Sequence, residues 1–289
     1  MILRTIDVLP EMEGQRIDQL LRRCLPELTS QELREVFAHR DVKLDGRRVP
    51  AQTRVQAGSR IQVYYPEPAH PTLEIVYSDP DVLLINKPAG ISVEPDRAGI
   101  PSLTELAAAH VRLSNPTAPE PIPCHRLDNQ TSGLILFARH EQAAGILLKA
   151  FAARTLDKRY TCLVRGQPKP ASAVCQAWLI KDPEAGKVRV VDRELPGSRP
   201  IVTGYETLEA GPVSRLEVHL ITGRTHQIRA HLAALGHPLL GDDVYGDRAF
   251  NRSMHVQGRL KLCATSLTLQ TDGALPQLDG RTFTIPCPF

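Results

Sequence analysis

The sequence predicts an α+β fold. A mixed, largely antiparallel sheet with flanking helices forms the main body, and a small αα-β domain precedes it. Three observations carry this. Apolar runs of strand length recur along the later part of the chain, at 82–85, 134–138, 158–165, 216–220 and 260–269. Only 141–154 and 225–234 show a helical pattern there, too few helices for regular βαβ winding. A proline-rich stretch, Pro66-Glu-Pro68-Ala-His70-Pro71, divides the chain into residues 1–66, a semi-rigid linker at 67–71, and residues 72–289.

Each element follows from local pattern. Ile17, Leu20, Leu21, Cys24 and Leu25 lie at i, i+3, i+4, i+7 and i+8, one apolar face of a helix whose polar side carries Arg22 and Arg23. Thr29 and Glu32 have capping-box spacing, and Leu33, Val36 and Phe37 follow at helical intervals. Val42 to Leu44, an Asp45-Gly46 turn and Arg47 to Val49 read as a hairpin. Ile61 to Tyr65 alternates like a strand. Val82 to Ile85 is a buried strand that ends in the turn Asn86-Lys-Pro-Ala-Gly90, and Leu134 to Ala138 is another. Ala144, Leu147, Leu148 and Phe151 form the apolar stripe of the 141–154 helix. Residues 158–165 are β-rich, and Leu216, Val218 and Leu220 alternate with polar neighbours. Thr225 is placed to cap a helix through Ala234, which Gly236 closes in the left-handed region. Residues 260–269 are a late strand.

Composition excludes several classes. The 289 residues are 42% hydrophobic and 23% charged, as in a globular protein. No run approaches the roughly 18 apolar residues of a membrane span. The first residues carry charge early and lack the apolar core of a signal peptide, so no membrane partner and a cytoplasmic location are expected. The six cysteines contain no C-x-x-C pair, and most read as small buried hydrophobes. A net charge of +3, with basic residues biased to Arg, is compatible with an RNA partner without requiring one.

The chemistry concentrates in three places. Asp128 stands in a polar turn, His125-Arg-Leu-Asp-Asn-Gln-Thr-Ser-Gly133, that runs straight into an apolar strand. An aspartate near a buried strand needs a cation to keep it charged. The candidate lies in Thr222-Gly-Arg-Thr-His-Gln-Ile-Arg229, a glycine turn entering a helix with two arginines. Alone, Arg229 reads as a surface arginine, and Lys158-Arg-Tyr160 reads as an ordinary strand with an exposed lysine and a core tyrosine. Together with Asp128 they read as a site, in which Tyr160 is a platform on which a base can stack. His226 and His231 are five apart rather than at the i, i+4 spacing of a helical zinc pair, so no metal is expected. Asp242 and Asp243 read as a loop bonding its own backbone rather than as a second catalytic carboxylate. No nucleotide-binding glycine pattern and no nucleophile elbow are present, and no cofactor is expected.

From residue 72 onward these motifs, in this order, resemble the large-subunit-rRNA type of RNA pseudouridine synthase. The resemblance rests on Ile85-Asn-Lys-Pro-Ala-Gly90, His125-Arg-Leu-Asp128 with Thr131-Ser-Gly133, Lys158-Arg-Tyr160, Gly223-Arg-Thr-His-Gln-Ile-Arg229, Gly236-His-Pro-Leu-Leu-Gly-Asp242 and Tyr245-Gly246. The first 65 residues resemble the small S-four-like RNA-binding domain that often precedes this family. The resemblance implies isomerisation of uridine to pseudouridine, with catalytic residues Asp128, Tyr160 and Arg229. Asp128 acts at the ribose, as nucleophile or by driving a glycal intermediate. Tyr160 stacks on the base, and Arg229 holds Asp128 as a carboxylate. RNA contacts are expected from Arg126, His125, Thr131, Lys158 and Arg224, and from Arg22, Arg23, Arg47 and Arg48 in front. Three positions depart from the family pattern: Glu94 and Cys263 stand where histidines are usual, and Gln130 where an acid is common. Large-subunit rRNA is the expected substrate and tRNA the alternative, with the enzyme a monomer. Two other classes stay open on the residues alone: a non-catalytic RNA-binding assembly factor and a glycosidase-like hydrolase.

Overall fold

The computed structural model describes every residue except 1, 26, 27, 29, 67–72, 96–100, 116, 183–185 and 257. The capping box expected at 29–32 depends on Thr29, and the linker expected at 67–71 lies wholly in this set, so both fall outside the described residues. The chain divides into two compact units, Met1–Leu73 with Glu94–Pro121, and Glu74–Val93 with Ile122–Phe289. Residues 94–121, which the sequence assigns to the second part, group with the first.

The first unit holds β1 (Ile2–Asp7), α1 (Ile17–Cys24), α2 (Ser30–Ala38), β2 (Val42–Leu44), β3 (Arg47–Arg48) and β4 (Arg60–Tyr65). Its antiparallel sheet runs β1-β4-β2-β3. Ile17, Leu20 and Leu21 of α1, Leu33 and Val36 of α2, and Val42, Ile61 and Val63 form one core. The hairpin turn takes φ 49° at Asp45 and 79° at Gly46, the paired positive values that match the twist of its strands. β1 carries no sequence signal because it is an edge strand with most residues exposed. The unit also contains α3 (Leu103–Ser114), started by a full capping box. The Glu105 N–H donates to Ser102 Oγ at 3.2 Å, and the Ser102 N–H donates to Glu105 Oε2 at 2.9 Å.

The second unit is built on one sheet. In chain order its elements are β5 (Glu74–Ser78), β6 (Val82–Lys87), β7 (Ile122–Pro123), β8 (Ser132–Ala138), α4 (Glu141–Ala153), β9 (Asp157–Arg165), β10 (Ser172–Asp182) and β11 (Lys187–Val191). They continue with β12 (Arg199–Glu209), β13 (Val213–Leu220), α5 (Gln227–Ala234), α6 (Arg248–Ser253), β14 (Leu262–Thr268) and β15 (Thr282–Thr284). The strands run β11-β10-β12-β13-β9-β14-β8-β6-β5, with β15 beside β14 and β7 beside β8. Every pairing is antiparallel except β14 with β8, where Cys263 lies opposite Ser132 and Ala264 opposite Gly133. This is the mixed, largely antiparallel sheet that the pattern predicts.

Two helices depart from their expected form. On α4 the buried side chains are Ala143, Ala144, Leu147 and Ala150, packed on Leu134, Leu136 and Leu267, whereas Leu148 is 46% exposed. At 100° per residue the buried face centres near Leu147, which turns Leu148 outward. On α5, Thr225 caps nothing. The helix starts at Gln227 after a left-handed His226, with no side-chain cap. Gln227 Oε1 accepts from the Arg224 N–H at 3.1 Å and from the Thr222 hydroxyl at 2.8 Å, and the Gln227 N–H donates to the Arg224 carbonyl at 3.0 Å, so the turn closes on itself and leaves Thr225 exposed. The closing Gly236 is left-handed, at φ 86°.

Candidate active site

Asp128 is positioned by a turn between β7 and β8. Thr131 N–H donates to the Asp128 carbonyl at 3.0 Å and closes the turn. Its neighbour Asn129 is pinned through its carbonyl, which accepts from Gly90 N–H and from the Lys87 ammonium, each at 2.9 Å. Lys87 is wholly buried and also donates to the carbonyls of Ile91 and Pro88, at 2.7 and 3.0 Å. Burial brings its amine down to about 8, opposed by the nearby Asp128 charge. At the exit of the turn, Gly133 takes φ 113°, and a Cβ there would lie 2.3 Å from the carbonyl oxygen of Ala264. Only glycine lets β14 approach this closely.

Arg229 reaches Asp128 from α5. Its Nη1 donates to Asp128 Oδ2 at 3.1 Å. Its Nε and Nη2 grip both oxygens of Asp242, at 2.8 and 2.9 Å, a bidentate fork. Asp242 is fully buried and accepts two further hydrogen bonds at Oδ1, from the N–H groups of Val244 and Tyr245. Burial raises the Asp242 carboxyl, but the Arg229 hydrogen bonds and charge, with those two N–H groups, hold it below its ordinary range. Burial likewise opposes the Arg229 charge, and the two carboxylates more than offset it. Asp242 bonds its own backbone, as its sequence predicts, and also anchors Arg229, which the sequence does not reveal. With all these contacts it is not a free second carboxylate of the kind a glycoside hydrolase needs.

These groups face a cavity of about 400 Å³ lined wholly by the second unit. Asp128 is the one carboxylate in a wall that carries Arg126, Arg154, Lys158, Arg224 and Arg229. Tyr160 on β9 forms another side. It is 6% exposed, and burial pushes its phenol above its ordinary range. Arg126 and Arg224 are exposed at the rim. Lys158 is half-buried with its ammonium 5.8 Å from the centre of the Phe151 ring. His125 stacks on Phe151, and its Nε2 accepts the Leu136 N–H at 3.0 Å, so burial lowers it to about 3 and it stays neutral. Thr131 is buried in the wall. Thus Asp128, Tyr160, Arg229, Arg126, His125, Thr131, Lys158 and Arg224 all meet at one cavity. Arg22, Arg23, Arg47 and Arg48 are exposed in the first unit. Of the departures, Gln130 is exposed beside the turn and Cys263 is buried in β14. All six cysteines are free thiols.

A sequence model of the family described as RNA pseudouridylate synthase matches residues 81–234, which include Asp128, Tyr160 and Arg229. The chain belongs to this family. It is 39% identical over 258 residues to an uncharacterized RNA pseudouridine synthase of Chloroflexus aurantiacus, covering 85% of this chain and 79% of that one. It is 32% identical over 284 residues to the ribosomal large subunit pseudouridine synthase C of Vibrio vulnificus, covering 92% and 88%. Among solved structures, human RNA pseudouridylate synthase domain containing 1 superposes with a TM-score of 0.61 at 28% identity, covering 75% of this chain and 84% of that one. This RNA pseudouridine synthase is therefore an isomerase whose substrate is RNA.

Three residues of the synthase site fall inside motifs that carry the resemblance, yet the sequence reading gives them no role: Asp242 reads there as a loop residue, His226, which lines the cavity, as a rejected metal ligand, and Lys87 as part of a turn. A charge that folds inward leaves no local periodic signal. The one available hint is that Lys87 and Asp242 each stand one residue beyond an apolar run, Val82-Leu-Leu-Ile85 and Leu239-Leu240.

Proposed function

We propose that this synthase modifies uridines of large-subunit ribosomal RNA, with Asp128 acting at the ribose, Tyr160 at the base and Arg229 holding Asp128. The observation that carries the assignment is the single carboxylate, bonded by a buried arginine, in an otherwise basic cavity. The cavity lies at the small end of ligand sites, which span about 300–1,000 Å³, and suits one extruded nucleoside. The N1–C1′ bond breaks, the uracil turns in place, and C5 joins C1′ while its proton leaves and N1 gains one. A carboxylate serves whether it attacks C1′ or drives a glycal. Stacking on Tyr160 contributes about 1–3 kcal/mol toward the few kcal/mol that flipping costs. The exposed arginines at the rim and in the first unit suit the RNA backbone. Large-subunit rRNA is favoured over tRNA by relatives named ribosomal large subunit pseudouridine synthase C and D. Such an enzyme works in the cytoplasm, as a monomer. Among the described residues no helix is long and apolar enough to cross a membrane.

The test is Asp128→Asn, which keeps the shape and removes the charge. The purified variant is expected to bind RNA yet form no pseudouridine; a rate of about a tenth of the parent or more overturns the assignment. Mapping pseudouridines in a deletion strain decides the substrate. Loss of a large-subunit position supports the proposal, and loss confined to tRNA overturns it.

A further inference from the structure

His226 has no role in the chemistry above, yet three elements converge on its ring. Its Nε2 lies 3.8 Å from Asp128 Oδ2. Its Nδ1 lies 3.0 Å from the Tyr245 hydroxyl, and the two rings meet edge to face with centroids 5.6 Å apart. The Tyr245 oxygen itself accepts the Val188 N–H of β11 at 2.9 Å. With that donor in place, the phenolic proton is free to point at Nδ1. Nδ1 then accepts, and the proton of the neutral imidazole sits on Nε2, the nitrogen facing Asp128. Arg229 and His226 thus address the same oxygen, Oδ2. Asp128 Oδ1 receives no hydrogen bond from the described residues.

We propose that His226, set in its Nε2–H form by Tyr245, is a positioning residue for Asp128: it closes on Oδ2 in the RNA complex and keeps Oδ1 turned to the ribose. The inference rests on the reading of Asp128 as the group that acts on the ribose. The present 3.8 Å is too long for a hydrogen bond, and contacts of this kind shorten when substrate fills the site. The groups facing the ring are Asp128 and Arg126 from the turn before β8, Arg229 from α5, and Asp242 and Tyr245 from the loop after Gly241. Burial, the largest influence, lowers the imidazole below its ordinary value; Asp128 and Asp242 oppose this, while Arg229 and Arg126 reinforce it. The ring is neutral at pH 7. On acidification it gains a second proton, stands as a cation against Asp128, and weakens that carboxylate toward the ribose, so turnover falls with pH.

The experiment follows kcat, KM and the pH profile of the full-length enzyme on an unmodified large-subunit rRNA transcript, read by release of the uridine C5 hydrogen. Tyr245→Phe keeps the ring and removes the hydroxyl. It is expected to lower kcat about 10- to 100-fold with KM within about twofold, because misplacement of a reacting group acts on the chemical step. His226→Ala is expected to lower kcat similarly and to remove the imidazole component of the acid limb, and His226→Gln, which restores an N–H donor, to recover part of the rate. Folded variants with the parent kcat overturn the proposal, and so does a loss of rate equal at every pH with the acid limb unchanged. If His226→Ala does not fold, Tyr245→Phe alone decides. Asp128→Asn runs in parallel: an active Asp128→Asn sinks the underlying reading, whereas an inactive one beside a normal Tyr245→Phe sinks only this inference.

Discussion

Arg229 is the pivot of the site, one cation shared by two carboxylates. Its removal strands Asp242, fully buried, without a counter-charge. Leaving one partner of a buried ion pair unmatched costs about 3–5 kcal/mol. Arg229→Ala is therefore expected to lose both turnover and that much stability in a urea melt; a variant with parent stability and parent rate would reduce Arg229 to a bystander. Arg229→Lys keeps the charge but not the fork, so it can serve one carboxylate and not both. It is expected to stay folded and to lose most activity. Asp242 also sets an acid limit. Its carboxyl is held below the ordinary value, so its contribution to stability is full above about pH 4 and disappears as pH falls through the folded-state value. Asp242→Asn should flatten stability against pH below about pH 4, which acid titration followed by circular dichroism will read. Asp128 is legible in the sequence because it sits in a dense polar turn, whereas Tyr160 and Arg229 read as an ordinary strand residue and a surface arginine until they are taken together with it. Asp242 and His226 are hidden, because their partners lie 13 residues away or across the cavity, where no spacing rule reaches.

At the level of elements, the strands and helices with periodic patterns are legible and those without are not. α1 and the β2–β3 hairpin lie where apolar spacing and the Asp45-Gly46 turn put them, because burial there is one-sided. β1 escapes as an exposed edge strand. α3 has a capping signature in Ser102 and Glu105, but its buried face includes Thr104 and small alanines beside its leucines and valine, so no clean apolar stripe marks it. Thr225 fails as a cap because the Gln227 N–H already donates to the Arg224 carbonyl and a left-handed His226 stands between Thr225 and the helix. The element that the site depends on most is the start of β8. Gly133→Ala puts a methyl group into the β14 backbone and forces a left-handed φ on alanine. A loss of at least about 3 kcal/mol is expected, a fall in Tm on the order of 10 °C. A parent Tm for Gly133→Ala would show that β8 and β14 can part without cost.

Over the whole molecule the net charge is only +3, so affinity for RNA has to come from where the arginines stand rather than from their excess. Arg22, Arg23, Arg47 and Arg48 are exposed in the first unit and are not among the residues that line the cavity. Replacing all four by Gln in the full chain should weaken RNA binding and reduce the slope of log affinity against log salt by about 0.7–0.9 for each phosphate no longer neutralised. Turnover at saturating RNA should change little. An unchanged salt slope would show that these arginines do not meet the RNA. The single parallel pairing, β14 beside β8, carries a further consequence. It joins residues 132–133 to residues 263–264, and a pairing that distant forms late because its loop must close first. As the chain leaves the ribosome, the turn bearing Asp128 is made early but its flanking strand waits for segments far downstream. Nascent chains stalled before residue 260 should therefore bear all three proposed catalytic side chains and still be inert toward RNA. Activity toward RNA is thus expected to wait until β14 has left the ribosome and reached β8.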